Sequence, residues 1–296
     1  MKTPRLRILC IALLVLGSAI GTVAHPGSGI VVDQRGWVFF IDTGGGIWRV
    51  DAAGTLTKLG GPNFHWLALD ERGLFAHGQL PRLPSAEITP VGTSPTLLAS
   101  SDLPITLGQD GALYYAEFGT DQQLRIVRFT ADGTKSVRAI ITSTPGSVLR
   151  WINGLAADRN GSLYFTEDKA VRKVDPQGVV TTIASNVRVP NCASIPGNEA
   201  ETGSFLRGLA VAGDGTIFVA ASGCGAVIRI TPRGEIGTVL RASPPWSPTA
   251  VAASPAGLYV LEYLHTVAED RQAWVPRVRK VAPNGTVTTV ASVTRR

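Results

Sequence analysis

The chain has 296 residues, 44% of them hydrophobic and only 17% charged, with 33 glycines and 19 prolines. That balance suits an all-β domain with many turns and room for a large core. The formal charge of +6 contains no long basic run, and Arg271, Arg277, Arg279 and Lys280 are scattered through one strand region, so a phosphate-binding face and a nucleic-acid partner are excluded.

The chain opens with Lys2, Arg5 and Arg7, then an apolar run of thirteen residues from Ile8 to Ile20, then the small-residue exit Thr22-Val23-Ala24. This is the form of a secretory signal peptide cut after Ala24. The run is too short to span a bilayer comfortably and no second one follows, so no stable membrane anchor is expected. Residues 1–24 are read as leader and 25–296 as the mature domain of a secreted or periplasmic protein. Losing the three leader cations lowers the formal charge from +6 to +3. Cys10 leaves with the leader, and the remaining Cys192 and Cys224 are expected to pair, because a disulfide persists in that compartment.

From Gly27 onward one pattern recurs. Its clearest copy is Trp151–Ala184: an apolar strand (Gly154–Ala157), a turn at Asn160-Gly161, an alternating strand (Leu163–Thr166), a third strand (Ala170–Val174), a turn at Pro176–Gly178 and a fourth strand (Val179–Ala184). Four antiparallel strands cannot bury both faces alone, so copies must stack against one another. Six copies fall near 27–60, 64–100, 103–142, 151–185, 206–242 and 248–293. The expectation is a six-bladed β-propeller of four-stranded antiparallel blades, closed face to face because no spare N-terminal strand precedes the first copy.

The repeat phase picks out the residues that should meet. Eight positions before the turn glycines Gly36, Gly73, Gly111, Gly161, Gly215 and Gly257 stand Ser28, His65, Leu103, Asn153, Arg207 and Thr249. First strands of blades line the central channel, so these six should ring one mouth. Second strands return to that mouth and end at Asp42, Glu117, Glu167, Ala221 and Glu262, with His77 or Gly78 in the shortened second copy. The expected ligand-binding mouth is thus Ser28, Asp42, His65, Glu117, Asn153, Glu167, Arg207, Thr249 and Glu262, a set that core packing alone would not select. Candidate metal ligands are Asn153, Glu167, His65 and His77. Arg207 is expected to pair with Glu117, Glu167 or Glu262, above all Glu167.

The run G-L-A-x-x-x-x-G-x-L/I-Y/F-x-x-E/D, followed by x-V-x-[RK]-[VI]-x-P-x-G-x-V-x-T, resembles the NHL repeat, and is similar to the gluconolactonase and senescence-marker-protein family of the same fold. The resemblance covers the mature chain and implies fold far more than activity. In gluconolactonase-like enzymes it implies a metal held by a Glu of the first blade, an Asn and a later Asp. Asn153 matches the Asn, but Ser28 and Arg207 stand at the other two positions, and an Arg would repel a divalent cation. In the peptide-amidating lyases of this fold, zinc is held by three histidines; His65 and His77 fall on such positions, and a third would require His265 from the sixth-copy insertion.

Trp151, Phe205 and Trp246 precede ring positions and, with Trp274, could collar the mouth or wedge between sheets. Of the three irregular inserts, near Leu80–Pro84, in VRVPNCASIPGNEAETGSF and in LHTVAEDRQAWVP, the last two should border the mouth. No nucleophile elbow, HExxH helix, phosphate loop or CxxC occurs. Two readings follow. One is a monomeric secreted propeller binding a small polar, sugar-like or peptide-like ligand, or a protein partner, with no certain cofactor. The other is a hydrolase or lyase with a rearranged calcium or zinc site built on Asn153, Glu167, Glu117 and Glu262.

Overall fold

The computed structural model describes residues 26–77, 80–83, 86–92, 95–121, 123–142, 151–193, 195, 203–264 and 274–294. The leader, His25 and His265 lie outside them. Six sheets follow one another around a central channel. The first blade is β1 (Ile30–Val32), β2 (Val38–Asp42), β3 (Gly46–Val50) and β4 (Leu56–Gly60); the second has β5 (Trp66–Asp70), β6 (Ile88–Val91) and β7 (Thr96–Ser100). The third is β8 (Ile105–Leu107), β9 (Leu113–Phe118), β10 (Leu124–Phe129) and β11 (Lys135–Ile141), and the fourth β12 (Gly154–Ala157), β13 (Leu163–Thr166), β14 (Val171–Val174) and β15 (Val180–Ala184). The fifth is β16 (Leu206–Val211), β17 (Ile217–Ala221), β18 (Ala226–Ile230) and β19 (Ile236–Arg241); the sixth is β20 (Trp246–Ser254), β21 (Gly257–Leu264), β22 (Pro276–Val281) and β23 (Val287–Ser292). All pairings are antiparallel, and in the four-stranded blades they run in sequence order.

The turns are built by an aspartate and a glycine. In the fourth blade Asp158 Oδ1 accepts the amides of Asn160 at 2.8 Å and Ser162 at 2.9 Å, and Gly161 takes φ +79°, where a side chain would be strained. The glycine of the G-L-A run has a different cause. A Cβ on Gly154 would lie 2.8 Å from the Arg207 carbonyl oxygen, and one on Gly208 would lie 2.7 Å from Ala250 Cβ, so these glycines let neighbouring innermost strands approach around a narrow channel.

Packing explains the repetition. Among the described residues the buried apolar side chains form six clusters, one at each blade interface. Each blade therefore shares its core with both neighbours, as stacked repeats must. The ring closes where the sixth blade meets the first, through Phe40, Ile30, Leu261 and Tyr263 among others. The sixth blade takes all four strands from the C-terminal end of the chain, so closure is face to face, as the sequence predicts.

The second blade departs from the expected pattern. It has three strands among the described residues, in the order β5-β7-β6. Asp70 Oδ2 accepts the Phe75 amide at 2.7 Å, and Phe75, fully buried, plugs the interface with the third blade and stacks on Phe129 at 6.4 Å. The segment that would be the second strand thus serves as a core plug, Pro81 follows it, and β7 takes the place beside β5. Leu80, Leu83 and Ala86 pack on the same core.

Candidate functional site

Ser28, His65, Asn153, Arg207 and Thr249 stand at the starts of innermost strands, and the structure uses them to tie blade to blade. Ser28 donates its amide to the His65 carbonyl at 2.7 Å. Thr249, fully buried, donates its hydroxyl to the Gly27 carbonyl at 2.8 Å. Asn153 donates its side-chain amide to the Leu206 carbonyl at 3.0 Å and to Asp168 Oδ1 at 3.1 Å. Arg207 donates to the Pro26 carbonyl at 2.7 Å, with the Ser28 hydroxyl at 3.4 Å. His65 bonds the Ser101 carbonyl through Nδ1, and its ring lies 5.7 Å from that of Trp66. Leu103, the sixth ring position, is core.

Tyr263 completes the seam between the last blade and the first. Its hydroxyl donates to the Ile41 carbonyl at 2.7 Å and accepts the Thr43 amide at 3.2 Å, while Thr43 Oγ1 accepts the Gly27 amide at 2.8 Å. Burial pushes the Tyr263 phenol far above its ordinary pKa, so it acts only as a neutral donor and acceptor.

The carboxylates are occupied differently from the sequence expectation. Glu167 is ion-paired with Arg172 at 2.8 Å, both side chains being under one-tenth exposed, and Arg172 also donates to the Thr142 carbonyl at 2.7 Å. Glu117 pairs with the half-exposed Lys135 at 2.8 Å. Glu262, fully buried, is held by Arg277 Nε at 2.6 Å and by an Arg279 terminal nitrogen. The described bonds of Arg207 run to backbone and hydroxyl, and Glu167 goes to Arg172. The physical reason is proximity: Arg172 lies five residues beyond Glu167 across one hairpin, while Arg277 is the direct register partner of Glu262. Asp42 is buried at the end of β2, folded toward its own hairpin, where a Cβ on Gly45 would meet its Oδ2 at 2.0 Å.

His77 does not join the mouth. It is exposed in the turn beyond Asp70, at the other end of β5 from His65, and among the described residues no second strand follows to bring it back. Trp274 is buried in the closing core instead of facing a ligand, and Trp151 is a half-buried wedge whose ring contacts Phe118 at 5.6 Å. The disulfide is formed: Cys192 and Cys224 have Cα atoms 4.7 Å apart and join the loop entering the fifth blade to the hairpin after β17.

Below the mouth, all six innermost strands line a cavity of about 260 Å³ walled by backbone and by small or aliphatic side chains such as Ile30, Ala68, Ile105, Ala156 and Val251. That is below the usual range for a drug-sized ligand but larger than a benzene-binding cavity, so only bulkier ligands are left at the mouth. Comparison with known proteins bears on the scaffold. The chain matches no family model and no curated protein. Among solved structures it is similar to virginiamycin B lyase from Staphylococcus aureus (16% identity, TM-score 0.52, covering 92% of this chain and 85% of that one). It is likewise similar to a gluconolactonase from Xanthomonas campestris (13%, 0.52, 79% and 81%) and to a luciferin-regenerating enzyme (14%, 0.51, 86% and 91%).

The likeness is one of fold. This propeller shares its architecture with enzymes of different chemistries, so its function has to be argued from its own residues.

A resident divalent metal does not fit the described donors. Calcium takes six to eight oxygens and zinc about four ligands. Here Glu117, Glu167 and Glu262 are ion-paired, and among the described residues no three His, Cys, Asp or Glu side chains group to hold a metal. Asn153 has its amide nitrogen in use. Among the described residues no helix is long and apolar enough to cross a membrane.

Proposed function

We propose that this propeller is an exported binding protein that holds a small polar, sugar-like or peptide-like ligand, or a protein partner, at the mouth where the innermost strands begin, without transforming it. The observation that carries the reading is the pairing of two buried mouth-side carboxylates, Glu167 with Arg172 and Glu262 with Arg277 and Arg279. A carboxylate held by a guanidinium in a buried site is a poor metal ligand and a poor general base, because taking up a metal or a proton would strand the arginine. The leader-like N-terminus and the Cys192–Cys224 disulfide support export.

The reading is tested on protein purified from an export host without chelator. Elemental analysis is expected to find calcium and zinc well below one ion per chain, and dialysis against EDTA is expected to leave the melting temperature unchanged. A stoichiometric ion whose removal lowers the melting temperature overturns it and favours the second reading, a metal-dependent hydrolase or lyase. One observation favours that alternative: Asn153 Oδ1, an oxygen suited to a hard cation, accepts no hydrogen bond from the described residues.

A further inference from the structure

Among the described residues of the sixth blade, two arginines face a single carboxylate. Glu262 is completely buried yet receives two guanidiniums, Arg277 Nε at 2.6 Å and a terminal nitrogen of Arg279. One carboxylate cannot neutralise two arginines. No Asp or Glu occurs from Ile236 to Leu261, the stretch that forms β19, β20 and most of β21. A third guanidinium, Arg241 at the end of β19, is spent on neutral groups, the carbonyls of Pro190 and Asn191.

The three arginines are not equivalent. Arg279 holds Glu262 and the Arg241 carbonyl, the latter at 3.4 Å, through one terminal nitrogen, and its Nε is buried out of a ligand's reach. Arg277 is different. Its Nε is fixed by Glu262, and its guanidinium carbon lies 3.9 Å from the centre of the half-buried Trp246 ring. Its two terminal nitrogens have no hydrogen-bond partner among the described residues, and the side chain is 18% exposed. A guanidinium anchored at Nε and flattened on an indole has lost most of its freedom before any ligand arrives. The edge formed by its two terminal nitrogens is the edge that meets a carboxylate through two parallel bonds.

We infer that Arg277, oriented by Glu262 and Trp246, is the anchoring contact for a carboxylate-bearing ligand at the sixth-blade side of the mouth. The inference rests on the binding reading above and narrows its ligand to an organic anion. The shared chemistry is the carboxylate; an acidic sugar and the free terminus of a peptide both offer it.

The test is calorimetric titration of the exported, disulfide-bonded protein with two matched pairs: galacturonate against galactose, and N-acetyl-leucine against N-acetyl-leucinamide. The expected result is saturable binding of at least one acid and at least about tenfold weaker binding of its neutral counterpart, with the pair that responds identifying the source. Arg277→Gln is expected to weaken that acid by at least about tenfold, and Arg277→Lys, which keeps the charge but not the fork, by an intermediate factor. Because Arg277→Gln leaves Glu262 with Arg279 alone and could perturb folding, tryptophan fluorescence gives an independent readout: the acid should change the emission of the wild type and not of Trp246→Phe. Equal binding of acid and neutral partner, with no effect of Arg277→Gln, overturns the inference while leaving the binding reading intact. Failure of both acids to bind overturns it outright. A bound metal found by elemental analysis bears on the binding reading alone, since the titrations are repeated on the metal-free protein.

Discussion

Two fully buried tyrosines offer a controlled test of how the ring is closed. Tyr263 and Tyr115 are both 0% exposed, and burial raises the phenol pKa of each. They differ in what the hydroxyl does. Tyr263 bonds the Ile41 carbonyl at 2.7 Å and the Thr43 amide at 3.2 Å, with Thr43 Oγ1 also at 3.2 Å, bridging the last blade to the first. The Tyr115 hydroxyl has no hydrogen-bond partner among the described residues. Replacing Tyr263 with Phe removes one oxygen and strands a buried carbonyl and a buried amide at the seam. An unsatisfied buried group costs about 1–3 kcal/mol, so the pair should cost about 2–4 kcal/mol, allowing for partial relaxation. Tyr115→Phe removes a hydroxyl that was buried without compensation, so it should change stability by less than about 1 kcal/mol or improve it.

Urea denaturation followed by tryptophan fluorescence separates the two. The midpoint of Tyr263→Phe should fall with an unchanged slope, because the folded state buries the same surface, and the melting temperature should fall by about 5–10 °C for a chain of this size. Tyr115→Phe should track the wild type. If the two substitutions cost the same, or if Tyr263→Phe costs under about 0.5 kcal/mol, the hydroxyl is not what closes the ring and the apolar cluster around Phe40 and Leu261 does so alone.

Three further outcomes are expected. Cys192→Ser should lower stability by about 3–4 kcal/mol, read as a lower urea midpoint that reductant reproduces in the wild type, because the disulfide closes a loop with a sequence separation of 32. Glu167→Gln should cost about 3–5 kcal/mol by stranding the buried Arg172, whereas Glu117→Gln should cost under about 1 kcal/mol because Lys135 is half exposed; comparable losses in urea melts would show that burial does not set the value of these pairs. For Asp110, burial pushes the carboxyl pKa up, but the Arg128 guanidinium, the Ala112 amide and the Tyr114 hydroxyl hold it on balance below the ordinary value of 3.8. Its contribution is therefore complete above that value and lost as pH falls through the lower folded value, so the stability gap between wild type and Asp110→Asn should be constant from pH 7 to 5 and close below about pH 4; a gap that persists at pH 2 would contradict this.

The fold was legible because its periodic signals are physical necessities. The turn glycines sit where φ is positive, as at Gly161, and the glycines of the innermost strands sit where neighbouring backbones touch, as at Gly154 and Gly208. Counting from the turn glycines therefore located the ring of Ser28, His65, Asn153, Arg207 and Thr249 at the starts of the innermost strands. The second blade was not legible in the same way. Its glycine at Gly73 keeps the phase, but Phe75 finds a better place in the core than in a strand, and that preference depends on Phe129 of the next blade. The destinies of the carboxylates depended on side chains one strand further out. Reading Glu262 together with its register partner Arg277, or Glu167 with Arg172 across its hairpin, would have shown ion pairs where the end of a strand alone suggested a channel-facing acid.

A propeller whose first and last blades do not exchange a strand must hold its seam by other means, and here the means are polar groups at the mouth: Thr249 and Tyr263 from the sixth blade, and Arg207 from the fifth, grip Pro26, Gly27 and Thr43 of the first. Ser28 and Arg207, two of the positions where the resembling enzymes are expected to place metal ligands, are thus committed to bracing the first blade, and a metal there would have to displace bonds worth about 1 kcal/mol each. Arg277 escapes this constraint. It sits on the third strand of its blade, away from the seam contacts, and its anchoring residues Glu262 and Trp246 belong to the same sheet. A ligand that docks on Arg277 therefore leaves the closure intact, which is why the sixth-blade rim, and not the centre of the ring, is the part of this mouth able to change its occupant without loosening the fold.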